Sequence, residues 1–172
     1  MLLNILKVTN PADLKILQSP CVDVTDFNQD VQDLCRDMAE TMYASNGVGL
    51  AAPQVGRSLN IFVMRTMQGL AENRQEHVVV INPHVVIEIG DGGVEQEGCL
   101  SVPGWWGDVQ RFYEVGVVYW TPEGKRVAGH FKSFQARIFQ HENDHLNGVL
   151  FLKRATKFYR PKAATDGLAN KG

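Results

Sequence analysis

One short segment constrains the fold of this chain more than any other, namely His141-Glu142-Asn143-Asp144-His145. Two histidines four residues apart share a face on an α-helix, so the segment predicts a helix with both imidazoles directed at one point. Phe134 and Ile138 continue that face as an apolar stripe, which predicts that it is buried. Because buried imidazoles need polar partners, the segment indicates a metal ion inside the fold, with Glu142 beside it as a general base.

The composition is that of an ordinary globular protein. The 172 residues are 44% hydrophobic and 21% charged, and the net charge of −2 gives no reason to expect a nucleic-acid partner. No apolar run approaches the roughly 20 residues that cross a membrane, and the N-terminus lacks the features of a signal peptide. Cys21, Cys35 and Cys99 form no disulfide framework. We therefore expect a cytoplasmic chain with free thiols, without membrane or direct nucleic-acid binding.

The hydrophobic pattern predicts an α+β fold. A first helix covers residues 28–44, with Cys35 on its buried face, and ends near Asn46-Gly47. A turn over residues 121–124 joins two later strands, and the motif helix begins at Ser133 as N-cap and ends at Asn147-Gly148. We expect antiparallel or mixed β-sheets packed around this central C-terminal helix. The predicted strands cover residues 59–65, 77–82, 85–89, 114–120, 125–131 and 149–152.

The charge distribution divides the chain into a single domain over residues 1–152 and a basic C-terminal tail over residues 153–172. Pro161 limits any helix in the tail. A mobile, solvated terminus is the favoured interpretation, ahead of an element that docks onto the domain. The basic residues, set against the single acid Asp166, are Lys153, Arg154, Lys157, Arg160, Lys162 and Lys171.

Two imidazoles do not complete a metal site, so the third ligand decides its class. Zinc proteases with this motif take a downstream ligand, but Phe151 stands where one class has its third histidine and the only later acid is Asp166. The third ligand should therefore lie upstream. Cys99 is favoured because Gly98 permits close approach and a thiolate is a strong ligand, which would leave a fourth position open for water. The upstream alternatives are His77, His84, His130 and several carboxylates.

A glycine-rich segment over residues 47–54 superficially fits a dinucleotide-binding fingerprint. A helix precedes it instead of a strand and Pro53 follows at once, so phosphate binding is rejected. Small residues here let the backbone approach a ligand closely. Gln54 can donate to an oxygen while staying neutral, although on this segment alone an ordinary turn glutamine is favoured.

Three segments, residues 47–54, 97–101 and 140–148, together resemble the signature motifs of peptide deformylases in order and spacing. The resemblance spans nearly the whole chain. It implies an enzyme that removes the formyl group from N-formylmethionine on nascent polypeptides. It implies Fe²⁺ as the metal, with Zn²⁺, Ni²⁺ or Co²⁺ able to occupy the same site.

The resemblance also implies roles for individual residues. The metal ligands are Cys99, His141 and His145. Glu142 is the catalytic acid and base, while Gln54 and the Leu100 backbone N–H stabilise the oxyanion. Arg111 has a structural ion-pair role, with Asp144 or Glu97 as its partner.

The implied methionine side chain needs an apolar pocket. Of the two adjacent tryptophans, we expect one to be packed inward and the other, Trp106, to flank the peptide groove, with two structural tryptophans as the alternative. Arg137 is expected at the rim of the pocket or pointing away from it. The basic tail is a candidate contact with the ribosome. The predicted substrate-binding residues are Val48, Gly49, Phe134, Ile138 and Trp106.

Two other function classes compete with this interpretation. A metalloprotease that cleaves internal peptide bonds is disfavoured by the Cys99 ligand and by the absence of a downstream one. A non-enzymatic metal-binding or peptide-binding module predicts a closed site with four protein ligands, and no fourth ligand is evident in the sequence.

Overall fold

One antiparallel sheet organises the computed structural model, which describes residues 1–160. A short parallel bridge between Val22 and Leu59 lies outside the named strands. The predicted α+β class is confirmed, with the motif helix lying across the sheet. The strands in spatial order are β1 (Gly49–Ala51), β2 (Ile61–Arg65), β3 (His77–Cys99), β4 (Val102–Trp120) and β5 (Arg126–Lys132), with β6 (Phe158–Tyr159) added beside β4.

The helices end where the sequence places their boundaries. The Asn28 side chain accepts a hydrogen bond from the Val31 N–H at 3.2 Å, which caps the first predicted helix, and Asn46 in the left-handed region follows its end. None of the helices within residues 1–160 is long and apolar enough to span a membrane. The helices are α1 (Pro11–Leu17), α2 (Gln29–Ala44), α3 (Met67–Ala71) and α4 (Ser133–Leu146), with 3₁₀ turns at Ala52–Val55 and Phe151–Lys153.

Strand β2 is buried on both faces, and this places the two long helices on opposite sides of the sheet. Ile61 and Val63 pack in one cluster with α2, whereas Phe62 and Met64 pack in another with α4. Side chains alternate along a strand, so a continuous apolar run is what a doubly covered strand requires. Phe139 of α4 contacts Phe62 edge-on with ring centroids 5.2 Å apart. Burying such a ring stabilises the fold by roughly 1.5–3 kcal/mol and fixes α4 against the sheet.

Strands β3 and β4 form one long hairpin, which the sequence pattern divides into shorter pieces. The predicted break after Asn82 is a local irregularity, with Asn82 in the left-handed region and a register shift between Ile81 and His84. Beyond residue 89 the strand is rich in glycine and acidic residues, so its composition does not predict a strand. The unpredicted extension matters because it ends at Cys99, beside α4.

Two local predictions are wrong. Residues 149–152 form no strand; the Val149 N–H donates to the Asp144 carbonyl at 2.9 Å, and Phe151 is buried in a 3₁₀ turn. The chain turns back over the helix end, so its apolar residues are covered without a strand partner. Ser133 is not the N-cap of α4, because β5 runs to Lys132 and Ser133 takes the left-handed conformation that turns the chain directly into the helix.

The first eight residues of the predicted C-terminal tail lie against the domain. Strand β6 pairs with β4 at Trp106 and Gly107, and the Tyr159 hydroxyl donates to Asp108 at 2.7 Å. Residues 161–172, which carry Lys162 and Lys171, lie outside the described residues. The division into a domain over 1–152 and a basic tail over 153–172 stays a prediction.

Candidate metal centre

Helix α4 and the end of β3 bring three candidate ligands together. His141 and His145 lie one turn apart on α4 with ring centroids 5.1 Å apart. The Cys99 Sγ lies 3.3 Å from the His145 Nε2. One ligand atom from each of the three residues lies within 4.8 Å of the others. This is the spacing that one shared metal ion needs, since ligand–metal distances in such sites are about 2.0–2.3 Å.

Each of the two imidazoles presents one nitrogen, Nε2, toward the other candidate ligands. His141 Nδ1 is 2.9 Å from a carboxylate oxygen of Glu97, so its Nε2 is the atom left for a ligand. The His145 ring is buried, and within residues 1–160 its Nδ1 has no hydrogen-bond partner. Glu97 therefore fixes the orientation of one imidazole, while the helix and the core fix that of the other.

The donor set fits a transition metal. A thiolate with two imidazoles suits Fe²⁺, Zn²⁺, Ni²⁺ or Co²⁺, whereas Mg²⁺ and Ca²⁺ prefer oxygen ligands. Among residues 1–160 no other group of His, Cys, Asp and Glu meets the same distance criterion. The alternative ligands lie elsewhere, for example His130, which pairs with Glu114 at 2.9 Å. Three protein ligands with no fourth is the pattern of a catalytic site, and the prediction of a closed four-ligand site is not met within these residues.

The surroundings of the site shift the pKa values of its ionisable groups. Burial raises the pKa of Cys99, but the charges of His145 and His141 outweigh it and hold that pKa well below its usual range. Burial also raises the pKa of Glu142, to about 7, with the two histidines opposing it. Glu142 Oε2 is buried without a hydrogen-bond partner in the described structure. The site therefore favours a thiolate ligand and a carboxyl group that can exchange a proton near neutral pH.

A buried charge cluster supports His141 from behind. Arg111 donates from Nε and Nη2 to Glu97 at 2.8 and 2.9 Å, and from Nη1 to Asp144 at 2.7 Å. The sequence left open which acid it meets, and the structure shows both. Burial alone would raise the pKa of Glu97. Its ion pair with Arg111 and its hydrogen bond with His141 outweigh that effect and lower the pKa to about 2. Glu97 therefore stays charged and holds His141 in one tautomer.

Arg137 belongs to this cluster. It is buried, pairs with Glu97 at 3.1 Å and Glu95 at 3.2 Å, and donates to the Val109 carbonyl at 2.9 Å. It also lines the cavity beside the site, and its expected place at the rim or pointing away stays a prediction. The missed signal is the pair Glu95 and Glu97, which share a strand face two residues apart and provide the countercharge.

Gln54 is oriented toward the ligand cluster. Its Oε1 accepts a hydrogen bond from the Ala51 N–H at 2.9 Å, which assigns the amide nitrogen to the opposite side. That nitrogen donates to Cys99 Sγ at 3.4 Å and to Ser101 Oγ at 3.2 Å. Gln54 is buried in the 3₁₀ turn after β1, so a neutral donor is held beside the thiolate.

A cavity of about 380 Å³ opens beside the candidate ligands Cys99 and His141 and contains the predicted substrate-binding positions. Trp105 and Trp106 are 40% and 43% exposed, so the expectation that one of them packs inward is wrong. The Trp106 ring lies against Gly98, and the Arg160 guanidinium lies over the Trp105 ring at 5.4 Å. The predicted residues in its wall are Val48, Gly49, Leu100, Phe134, Ile138 and Trp106.

The chain matches proteins of one family along nearly all of its length. The family model described as polypeptide deformylase matches residues 2–160. The chain belongs to the peptide deformylase family. The peptide deformylase of Desulforudis audaxviator is 42% identical over 147 residues, which are 86% of this chain and 92% of that protein. The peptide deformylase of Symbiobacterium thermophilum is 43% identical over 161 residues, covering 93% and 70%.

Solved structures agree with the deformylase assignment. The crystal structure of the Thermotoga maritima peptide deformylase superposes with a TM-score of 0.81 at 37% identity, covering 91% of this chain and 99% of that chain. The Thermus thermophilus enzyme gives a TM-score of 0.79 at 37% identity, covering 90% and 86%. The chain is thus a hydrolase that removes the formyl group from N-formylmethionine of nascent peptides. The alternative of a metalloprotease for internal peptide bonds is set aside on this evidence.

Two supporting residues of this deformylase were missed by sequence reasoning. Arg154, within the predicted tail, binds Asp144 through two nitrogens at 2.5 and 2.6 Å. It thereby joins the charge cluster behind His141. Ser101 is fully buried and accepts the hydrogen bond from Gln54. No local pattern marks Arg154, whereas a serine beside a candidate ligand could have been examined as a partner for Gln54.

Proposed function

We propose that Cys99, His141 and His145 bind one divalent metal ion in this deformylase and that Glu142 is the general acid and base. The observation that carries the proposal is the convergence of the three donor atoms within 4.8 Å, beside a cavity that Cys99, His141 and Glu142 line. A group that is meant to move protons must reach the same space as the ligands and the substrate.

Fe²⁺ is the metal we propose, with Zn²⁺, Ni²⁺ and Co²⁺ as substitutes that the same donors accept. When bound, such an ion supplies a Lewis acid that makes a water molecule acidic enough to yield hydroxide near neutral pH. The lowered pKa of Cys99 supports a thiolate ligand. Metal analysis of protein purified without oxygen would identify the resident ion, and a predominance of another metal would contradict the assignment.

Glu142 provides the proton transfers. A carboxyl group with a pKa of about 7 can accept a proton from water and later deliver it to the leaving amine at the same pH. Its free Oε2 is available for that exchange because no described side chain or backbone group binds it. Both steps need a single carboxyl group that faces the reacting formamide.

Gln54 and the Leu100 N–H are the proposed oxyanion donors. The Gln54 amide nitrogen is held 3.4 Å from Cys99 Sγ, so its donor faces the space next to the ligands. Leu100 follows Cys99 directly and lines the same cavity. A donor that faces developing negative charge typically contributes about 10²–10³ in rate. The support is positional, since Gln54 and Leu100 both adjoin the proposed ligand Cys99 and line the same cavity.

The apolar wall of the cavity is the proposed site for the methionine side chain. Val48 and Ile138 supply aliphatic surface, Phe134 and Trp106 supply aromatic surface, and Gly49 lets the strand come close. An unbranched side chain such as methionine adapts to such a wall. Trp106 is partly exposed, which fits contact with the peptide beyond the first residue.

The proposal is tested with Glu142→Gln, an isosteric change that removes the ionisable group. We expect the metal content to be unchanged and deformylation of formyl-Met-Ala to fall by at least about 10²-fold, since general acid–base catalysis typically contributes 10²–10⁴. Glu123→Gln, an exposed turn residue, is the matched control and should keep wild-type activity. Retention of activity by Glu142→Gln would show that another group moves the protons.

The basic C-terminal segment is the proposed contact with the ribosome, and the cytoplasm is the expected compartment. The support is electrostatic, because the segment concentrates positive charge and rRNA is a polyanion. Arg154 pairs with Asp144 and Arg160 lies over Trp105, so the proposal rests on Lys153 and Lys157 and on the lysines of the sequence beyond residue 160, Lys162 and Lys171. Replacement of Lys153, Lys157, Lys162 and Lys171 by Gln should weaken cosedimentation with ribosomes at low salt, and unchanged cosedimentation would refute the contact.

A further inference from the structure

The N-terminal segment Leu6–Val8 crosses the two parts of the chain that present the proposed oxyanion donors. The Leu6 N–H donates to the Gln54 carbonyl at 2.8 Å, and the Val8 N–H donates to the Ser101 carbonyl at 3.0 Å. Between them, the Lys7 ammonium donates to the Leu100 carbonyl at 2.5 Å. Three successive residues therefore hold Gln54, Leu100 and Ser101, although Gln54 lies 46 positions before Leu100 in sequence.

The turn that carries Leu100 is closed by the pairing of Cys99 with Val102, next to an irregularity in the sheet. It connects β3 to β4, and the register of the two strands shifts between Gly98 and Cys99. The carbonyls of Leu100 and Ser101 find their donors in the N-terminal segment instead. The hydrogen bond from an ammonium group is about twice as strong as one between neutral groups, so Lys7 is the firmest of these attachments.

Lys7 is itself held in place. Its backbone N–H donates to an Asp13 carboxylate oxygen at 3.0 Å, and its side chain is half-buried. Asp13 lies in the first turn of α1, whose N-cap Asn10 accepts a hydrogen bond from the Ala12 N–H at 2.9 Å. The short helix thus anchors the residue that reaches across to the Leu100 turn.

We propose that Lys7 is a positioning residue for deformylation, which acts by fixing the residue whose N–H faces the oxyanion. The inference rests on the proposed oxyanion role of Leu100. The N–H and the carbonyl belong to the same residue, so holding the carbonyl limits the rotations that would misdirect the N–H. Lys7 does not itself line the cavity, and its effect reaches the reaction through Leu100, which does.

Lys7→Met tests the proposal, with Lys15→Met, an exposed lysine on α1, as the charge-matched control. We expect kcat for formyl-Met-Ala to fall roughly tenfold in Lys7→Met, less than the 10²–10³ of a lost donor because the N–H remains but is less well aimed. KM and metal content should stay within about twofold of wild type. Lys7→Arg, which keeps a charged donor, should recover most of the loss.

Hydrogen exchange gives a readout that is independent of activity. In the Zn²⁺-loaded protein, amides of residues 99–102 should exchange faster in Lys7→Met than in wild type, and Lys15→Met should leave them unchanged. Equal kcat and equal exchange in Lys7→Met and Lys15→Met would overturn the positioning role. Wild-type protein without activity on formyl-Met-Ala would instead overturn the proposed function, while the exchange comparison would still decide whether Lys7 fixes the turn.

Discussion

At the scale of single residues, Gly49 sets how closely β1 approaches the proposed acid and base. A Cβ atom built at this position would overlap the Glu142 carboxylate, with the Glu142 Cδ only 2.7 Å away. Glycine is therefore favoured here by close approach, since an added methyl group would force the buried Glu142 side chain to move. The same contact holds the carboxylate against the strand and aims it at the cavity.

Gly49→Ala should displace Glu142 and lower deformylation by at least about tenfold, because proton transfer depends on a well-placed carboxylate. Metal content should not change, since no ligand is touched. Gly116→Ala is the control: its Cβ would meet an Ile87 methyl group at 2.7 Å, on a half-exposed side chain that can rotate away. Steady-state kinetics with formyl-Met-Ala measures both, and equal activity of the two variants would contradict the aiming role of Gly49.

Residues differ in how far sequence can predict their surroundings. The pair His141 and His145 follows from helical spacing alone, because the two side chains need only one element to meet. Cys99 and Arg111 lie on a hairpin whose outer half carries no strand signal, so their meeting with α4 depends on tertiary structure. Family resemblance predicted these long-range partners. Neither helical spacing nor family resemblance predicted the ion pairs of Arg137.

At the scale of elements, periodicity predicts α2 and α4 because each buries one face against the same strand. The continuous apolar run of β2 fits burial on both faces, and the structure places a helix on each. The strand prediction fails where an apolar run is buried by contacts other than pairing with a neighbouring strand. Residues 149–152 read as a strand, yet they cover the end of α4, and Phe151 stacks near His141 with ring centroids 6.3 Å apart.

At the scale of the whole molecule, the proposed metal links two elements that are distant in sequence. Cys99 is the last residue of β3, whereas both histidines lie on α4. An ion that binds the folded state and not the unfolded chain adds its binding free energy to stability. The other two thiols are harder to ionise, because burial raises the pKa of Cys21 to about 11 and that of Cys35 to about 12. The thiolate form is therefore disfavoured for these two at neutral pH, whereas the lowered pKa of Cys99 favours it.

Removing the metal with a chelator should lower the melting temperature and make Cys99 the first thiol to react with iodoacetamide at pH 7.5. We expect it to be labelled at least about tenfold faster than Cys21 or Cys35, because the thiolate is the nucleophile. Zn²⁺-loaded protein is the control, in which Cys99 should be protected. Mass spectrometry of the three cysteine peptides gives the rates, and earlier labelling of Cys21 in chelated, folded protein would contradict the assignment.

Because Arg111 binds both Glu97 and Asp144, these positions cannot drift independently through evolution. Loss of Arg111 alone would leave two buried carboxylates short of a partner, and breaking a buried ion pair costs about 3–5 kcal/mol of a total stability near 5–15 kcal/mol. A later change at either acid would recover part of that cost, so the effects are strongly non-additive. The order in which substitutions arise then decides which variants still fold. Arg137, which pairs with Glu97, and Arg154, which pairs with Asp144, are subject to the same dependence.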